Sequence, residues 1–269
     1  MRIAKFLCLL FISLSYQLSF SQNPSVCDYL EKAQQVQTRL VQYFEKYPHD
    51  QHKSYNQRLL LLQLAQKHHL PLKLPKNYLA LDKIFDEDTL YHKYFERLIN
   101  PKFKPKSNLQ KDYINSQGID HLLLWSLYSD KLAWDKECEN SINQEVMGNE
   151  YNLRAICHYA LAYYWVKSLN PKAQATTLQA FENQFEKWEK ALYEGFKYVK
   201  GFTDSGIEGL LAFVFMGKFQ QIPQKSLEEF LYYESPDGGY PWDTEKNTSN
   251  FHASLIALWL VSEMIEFCN

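Results

Sequence analysis

Glycine and proline are scarce, with 9 Gly and 10 Pro in 269 residues. That disfavours an all-β chain dense in turns. No segment shows sustained alternation of apolar and polar residues bounded by hairpin turns. Neither charge is in excess: 29 Lys+Arg face 31 Asp+Glu, a formal −2. A bulk nucleic-acid binder usually carries a basic surplus, so none is expected here. No glycine-rich phosphate loop, nucleophile elbow or helical His-x-x-x-His pair occurs. Beyond the N-terminus no apolar run of about 18 residues is free of charge. Hydrophobics at 46% and charged residues at 22% exclude a disordered chain.

What is present begins with a leader. Arg2 and Lys5 precede an apolar run from Phe6 to Leu14, and Ser19-Phe20-Ser21 places small residues at −3 and −1 before Gln22. This is the three-part pattern of a secretory signal peptide. Residues 1–21 are predicted to be removed, leaving 22–269 as a single helical domain of formal charge −4, secreted or periplasmic, with no stable membrane insertion. Four cysteines remain, Cys27, Cys138, Cys157 and Cys268. They can form two disulfides in three connectivities, or stay free and buried. Pairing Cys27 with Cys268 would staple the two ends together. Their spacings match no zinc motif.

The rest predicts helix after helix. Ser25 can cap a helix to about Tyr47, and others are expected near 53–69, 87–99, 117–130, 135–146, 150–169, 173–200, 204–219, 224–234 and 249–267. Two kinds alternate. Phe181, Phe185, Trp188 and Leu192 form an apolar stripe with Glu182, Glu186, Lys187, Glu189 and Lys190 opposite, whereas 155–166 and 251–267 are apolar nearly all round. A helix without a polar stripe is buried on most sides. Inner and outer helices in alternation imply an all-α, two-layer barrel or solenoid.

An internal repeat agrees. Ser116 to Leu123 resembles Ser205 to Leu211; Gly148 and Tyr151 answer Gly238 and Tyr240; His158, Leu161 and Trp165 answer His252, Leu255 and Trp259 at the same spacing. A repeat this long fits two αα-hairpins copied together.

The stretch from Lys225 to Tyr240, with its Glu234-Ser235-Pro236-Asp237-Gly238-Gly239-Tyr240 end, and the following Asn250 to Leu258 resemble the repeat of terpenoid cyclases and protein prenyltransferase β-subunits. The resemblance implies an α/α toroid, closed or incomplete, in which inner helices ring an axis and outer helices surround them. Glu234 stands where the family has Gln, and Tyr240 where it has Trp. The family chemistry does not carry over. The cyclase Asp-x-Asp-Asp run and the Cys-Gly-Glu-Gln thioester are absent, and Asp204 is followed by Ser205-Gly206 rather than by the second-next Cys of the prenyltransferase zinc site.

The candidate ligand-binding residues are His158, His252, Asp237, Tyr240, Trp242 and Asp243. The two histidines lie near the starts of apolar helices, where imidazoles can act as base, ligand or donor, or simply bond loop carbonyls. Asp237, Tyr240, Trp242 and Asp243 form an acidic-aromatic loop suited to stacking on a ligand, or to closing a tight turn at Gly238-Gly239. Asp120 and Glu208 begin repeated helices, where the helix dipole alone would favour a carboxylate. His68 and His69 look solvated, as do His49 and His52. Asn247-Thr248-Ser249 is a glycosylation sequon. No metal or cofactor is expected.

Two functions follow from different classes. One is a binding protein holding a small molecule, glycan or protein partner in its cavity or on its rim. The other is a polysaccharide-active enzyme, which would bring two of Asp237, Asp243, Asp120 and Glu208 to about 5–10 Å from each other.

Overall fold

The computed structural model describes residues 25–47, 55–75, 78, 94–98, 100, 102–105, 108–143, 150–170, 175–245 and 248–269. The expected leader, His49, His52 and Asn247 lie outside them. The described chain is all-α apart from one two-residue antiparallel pair, β1 (Tyr240–Pro241) and β2 (Ser249–Asn250).

The helices are α1 (Leu30–Lys46), α2 (Tyr55–Lys67), α3 (Leu109–Asn115), α4 (Gly118–Leu127), α5 (Lys136–Asn143), α6 (Glu150–Leu169), α7 (Ala175–Glu182), α8 (Phe185–Gly195), α9 (Asp204–Phe215), α10 (Gln224–Leu231) and α11 (Phe251–Cys268). Short 3-10 turns occur at Val26–Tyr29, Phe95–Leu98 and Phe219–Gln221. Local chemistry explains the starts. Ser25 and Asp28 form a capping box around the first turn. Thr203 caps α9 and Asn250 caps α11, each side-chain oxygen accepting from backbone N–H groups of the first turn.

The helices differ in burial as their patterning requires. Every residue of α9 is buried, as are 13 residues of α11. In contrast α8 buries only Phe185, Trp188, Ala191, Leu192 and Gly195, one stripe of the helix. The inner elements touch in sequence: α4 packs on α6, α6 on α9, α9 on α11, α11 on α2, α2 on the Phe95–Leu98 turn, and that turn on α4. Outside them α5 lies against α4, α7 and α8 against α6, and α10 against α9, while α1 covers both α11 and α10.

Some boundaries differ from the sequence reading. The expected helix over 173–200 is two, α7 and α8, with a turn at Asn183-Gln184. The amphipathic stripe runs through that turn because Phe181 and Phe185 both reach Tyr163. Helix α3 was not foreseen, although Asn108 caps it through Lys111 N. Of the helix expected over 87–99, the described part contains the single turn Phe95–Leu98.

One disulfide is present among the described residues, Cys27–Cys268, spanning 241 positions. Cys138 and Cys157 are free and buried. Helix α11 is long and apolar enough to cross a membrane, but 72% of it is buried inside the fold.

Candidate functional site

The inner elements surround a cavity of about 200 Å³. Three of the helices lining it share one pattern. His158 and Trp165 on α6, Glu208 and Phe215 on α9, and His252 and Trp259 on α11 all line it, each a polar residue followed seven positions later by an aromatic one. Seven residues are two helical turns, about 10 Å. The cavity therefore has a polar end and an aromatic end. Leu161, Leu211 and Ile256 line the middle, and Leu60, Phe95, Leu98 and Leu123 close the remaining side.

At the polar end the sequence places Asp204 and Glu208 one turn apart on α9, so both carboxylates face the same way. Asp204 Oδ1 accepts from His252 Nδ1 at 2.7 Å. Arg154 Nη2 is 3.4 Å from Asp204 Oδ2, and Arg154 Nε is 3.7 Å from Glu208 Oε2. Both contacts are longer than hydrogen bonds, because Arg154 Nε donates instead to Ser205 Oγ at 2.9 Å. The Arg154 guanidinium lies over the Trp242 ring, 4.5 Å from its centroid. Trp242 in turn leans on His252, with ring centroids 6.1 Å apart, and its carbonyl accepts from Asp204 N. Asp204 and Glu208 are 1% and 5% exposed at the side chain, Arg154 and His252 each 29%. The cluster is thus buried on its carboxylate side and open to solvent on its cationic side.

These surroundings shift the titrations. Burial, reinforced by the charge of Asp204, pushes Glu208 up to about 8. Burial alone would lower His252, but the Asp204 hydrogen bond and the charges of Asp204 and Glu208 outweigh it, and the net shift is upward. His158 moves down, chiefly through burial, although its Nδ1 lies 2.7 Å from Arg154 O. Cys157, also on the cavity wall, is held far up as a thiol by burial and by Glu208 and Asp204.

Asp204, Glu208 and His252 each offer a ligand atom within 4.8 Å of the others, the spacing a cation needs. Two more clusters have such spacing: His121, Asp135 and Cys138, and His68, Glu263 and Glu266. In the first, His121 is fully engaged by Asp135, Tyr113 O and Ser116 Oγ, and burial pushes the Cys138 thiol up to about 12. In the second, Glu263 already receives Lys67, Tyr164 and Trp259. Contrary to expectation His68 is not solvated: its side chain is 5% exposed and paired with both glutamates.

The prenyltransferase-type cysteine cannot be accommodated at position 206. A Cβ on Gly206 would lie 2.0 Å from Lys200 O, so the backbones meet where that side chain would start. Gly206→Ala is expected to cost at least about 3 kcal/mol by overpacking, read as a lower urea midpoint. An unchanged midpoint would show that the α9 entry can shift.

The six residues singled out from sequence separate. His158 and His252 line the cavity, and Trp242 backs it through Arg154. Asp237 accepts from Ser235, Ser249 and Gly239 N in the loop before β1, where Gly238 has φ +89 and needs a glycine. Tyr240 is fully buried, its hydroxyl donating to Phe230 O. Asp243 caps a turn through Glu245 N. Asp120 acts electrostatically on His158. The carboxylates that converge are instead Asp204 and Glu208. Asp204 and Arg154 were not read as site residues, although two acids one turn apart in an apolar helix, and an arginine near the start of another, were visible.

Comparison of the chain with family models, curated proteins and solved structures finds no significant match.

Proposed function

We propose that this is an exported α/α-toroid protein that binds a small, mainly apolar molecule at the centre of its ring. The observation that carries the reading is the central cavity, apolar over most of its wall and ending at Glu208 and His252, with Asp204 and Arg154 beside them. Ligand sites are commonly of this kind, with hydrophobic walls and a few convergent polar groups that fix orientation. The ring is supported by the unbroken order of inner contacts from α4 through α6, α9, α11 and α2 back to α4, and by the outer helices between them. Export is supported by the leader pattern of residues 1–21 and by the cystine joining Cys27 to Cys268.

A dry apolar cavity of about 150 Å³ holds benzene, so one of about 200 Å³ suits a monosubstituted aromatic ring. Propylbenzene is expected to raise the melting temperature by about 2–4 °C, the effect of roughly 1 kcal/mol on a chain of this size. Ile256→Trp fills the middle of the cavity and should abolish that rise. No shift from any small aromatic compound, with wild type folded, would remove the binding reading. Export is checked by sequencing the secreted product, which should start at Gln22.

A further inference from the structure

The polar end of the cavity contains an acceptor surplus. Asp204 Oδ2 and Glu208 Oε2 are buried and have no hydrogen-bond partner. Buried carboxylate oxygens left without donors are costly. Of the neighbouring donors, His252 Nδ1 is engaged by Asp204 Oδ1 and Arg154 Nε by Ser205 Oγ. Arg154 is held over Trp242 and approaches the two carboxylates no closer than 3.4 Å. What the pair lacks is a compact group with several N–H donors and a positive charge, attached to a body that fits the aromatic end.

We infer that the ligand is a small arylalkyl amine whose ammonium binds Glu208, on the side where Asp204 lies, while its ring lies among Trp165, Phe215 and Trp259. The inference rests on the central cavity being a ligand site. The charge balance favours it. Two carboxylates carry two negative charges and Arg154 returns one; the second is met by a proton, on His252 or on Glu208, and a bound ammonium can take that proton's place. Glu208, which faces Asp204, His252, Arg154 and the Cys157 thiol, is raised chiefly by burial and then by the charge of Asp204. A ligand carboxylate entering the polar end would instead meet Glu208, with Asp204 beside it, in a low-dielectric wall. The ring end offers aromatic faces and edges: Phe215 and Trp259 pack edge-on at 4.7 Å, as do Phe95 and Trp165 at 5.4 Å. An ammonium has three donors, enough for both orphan oxygens.

The test compares three probes of one size, phenethylamine, 2-phenylethanol and phenylacetate, by calorimetric titration of the full mature chain. The amine is expected to bind at least tenfold more tightly than the alcohol, and phenylacetate not measurably. Glu208→Gln should weaken the amine about tenfold and leave the alcohol within twofold. Asp204→Asn, which keeps an oxygen for His252, is the second variant and should act in the same direction. Alcohol binding as tight as amine binding would overturn the amine and leave the cavity reading standing. No binding of any probe would overturn both. A preference for the amine that survives both substitutions would place its head elsewhere and overturn the assignment. Saturable binding of zinc chloride with none of the organic probes would overturn it in favour of a metal ion.

Discussion

Replacing both Cys27 and Cys268 with serine is expected to remove about 5 kcal/mol of stability, the loop-closure value for a cross-link of this span. The bond joins residues 241 positions apart, so it constrains nearly all of the unfolded chain. It also ties the first turn, Val26–Tyr29, to the last residue of α11. Helix α1 packs on α11, so the bond holds the covering helix against the innermost one. Without it, both ends can fray. For a chain of this size the loss corresponds to a melting temperature lower by roughly 10–20 °C. Dithiothreitol should reproduce the effect on wild type and leave the double variant unchanged. Equal urea midpoints for oxidised wild type and the double serine variant would show that packing alone holds the ends. The cystine also explains why Cys138 and Cys157 behave differently. Each is buried within the core, away from the termini, and burial keeps both as thiols.

The helices were legible where patterning was strong. Fully apolar stretches such as 251–267 had to be buried on most sides, and a one-stripe helix such as α8 on one side alone. Of the repeat His158-Leu161-Trp165 against His252-Leu255-Trp259, all but Leu255 line the cavity, Ile256 taking its place there. The third wall was missed because α9 uses Glu208 and Phe215 where its neighbours use His and Trp. Matching residue types hid what matching polarity would have found. Glu208 reads as an ordinary helix-start acid, since the dipole gives a sufficient reason for a carboxylate there, and Asp204 stands out only against the prenyltransferase zinc pattern. Only packing α6, α9 and α11 side by side reveals that α9 has no solvent face for them. Tyr240 misled in the opposite direction. Its loop suggested a ring free to stack on a ligand, but the β1–β2 pairing folds the ring inward against Phe230 and Arg39. The break at Asn183-Gln184 was invisible because the apolar stripe stays in phase through it. The disulfide pairing could not be read from spacing, as three connectivities were open.

Substituting Glu263 with glutamine is expected to cost about 3 kcal/mol at neutral pH, the penalty for removing one partner of a buried charge network. Glu263 Oε1 accepts from Lys67 Nζ at 2.5 Å, Tyr164 hydroxyl at 2.8 Å and Trp259 Nε1 at 3.0 Å, and His68 Nε2 lies 3.4 Å away. One carboxylate therefore pins α2, α6 and α11 together. Burial opposes its ionisation, but His68, Lys67 and Tyr164 outweigh burial and hold it at about 2, against an ordinary 4.5. A carboxyl lowered on folding contributes stability that is complete above its unfolded pKa and lost as pH falls towards the folded value. Glu208 has the opposite sign. Its folded pKa is about 8, so its contribution is complete below the unfolded value and lost as pH rises through 8. His252, raised by Asp204 and Glu208 against burial, adds to that alkaline loss, since its contribution is complete below the unfolded pKa of about 6.5 and disappears above the folded one. Wild-type stability should therefore crest near pH 5 and fall on both sides. Glu263→Gln should flatten the acid limb, so that variant and wild type converge towards pH 2–3. Glu208→Gln should flatten the alkaline limb and be the more stable protein at pH 9. Urea midpoints from pH 3 to pH 9 for the three proteins decide this. Parallel curves would mean that neither carboxylate titrates in the folded state as its surroundings require.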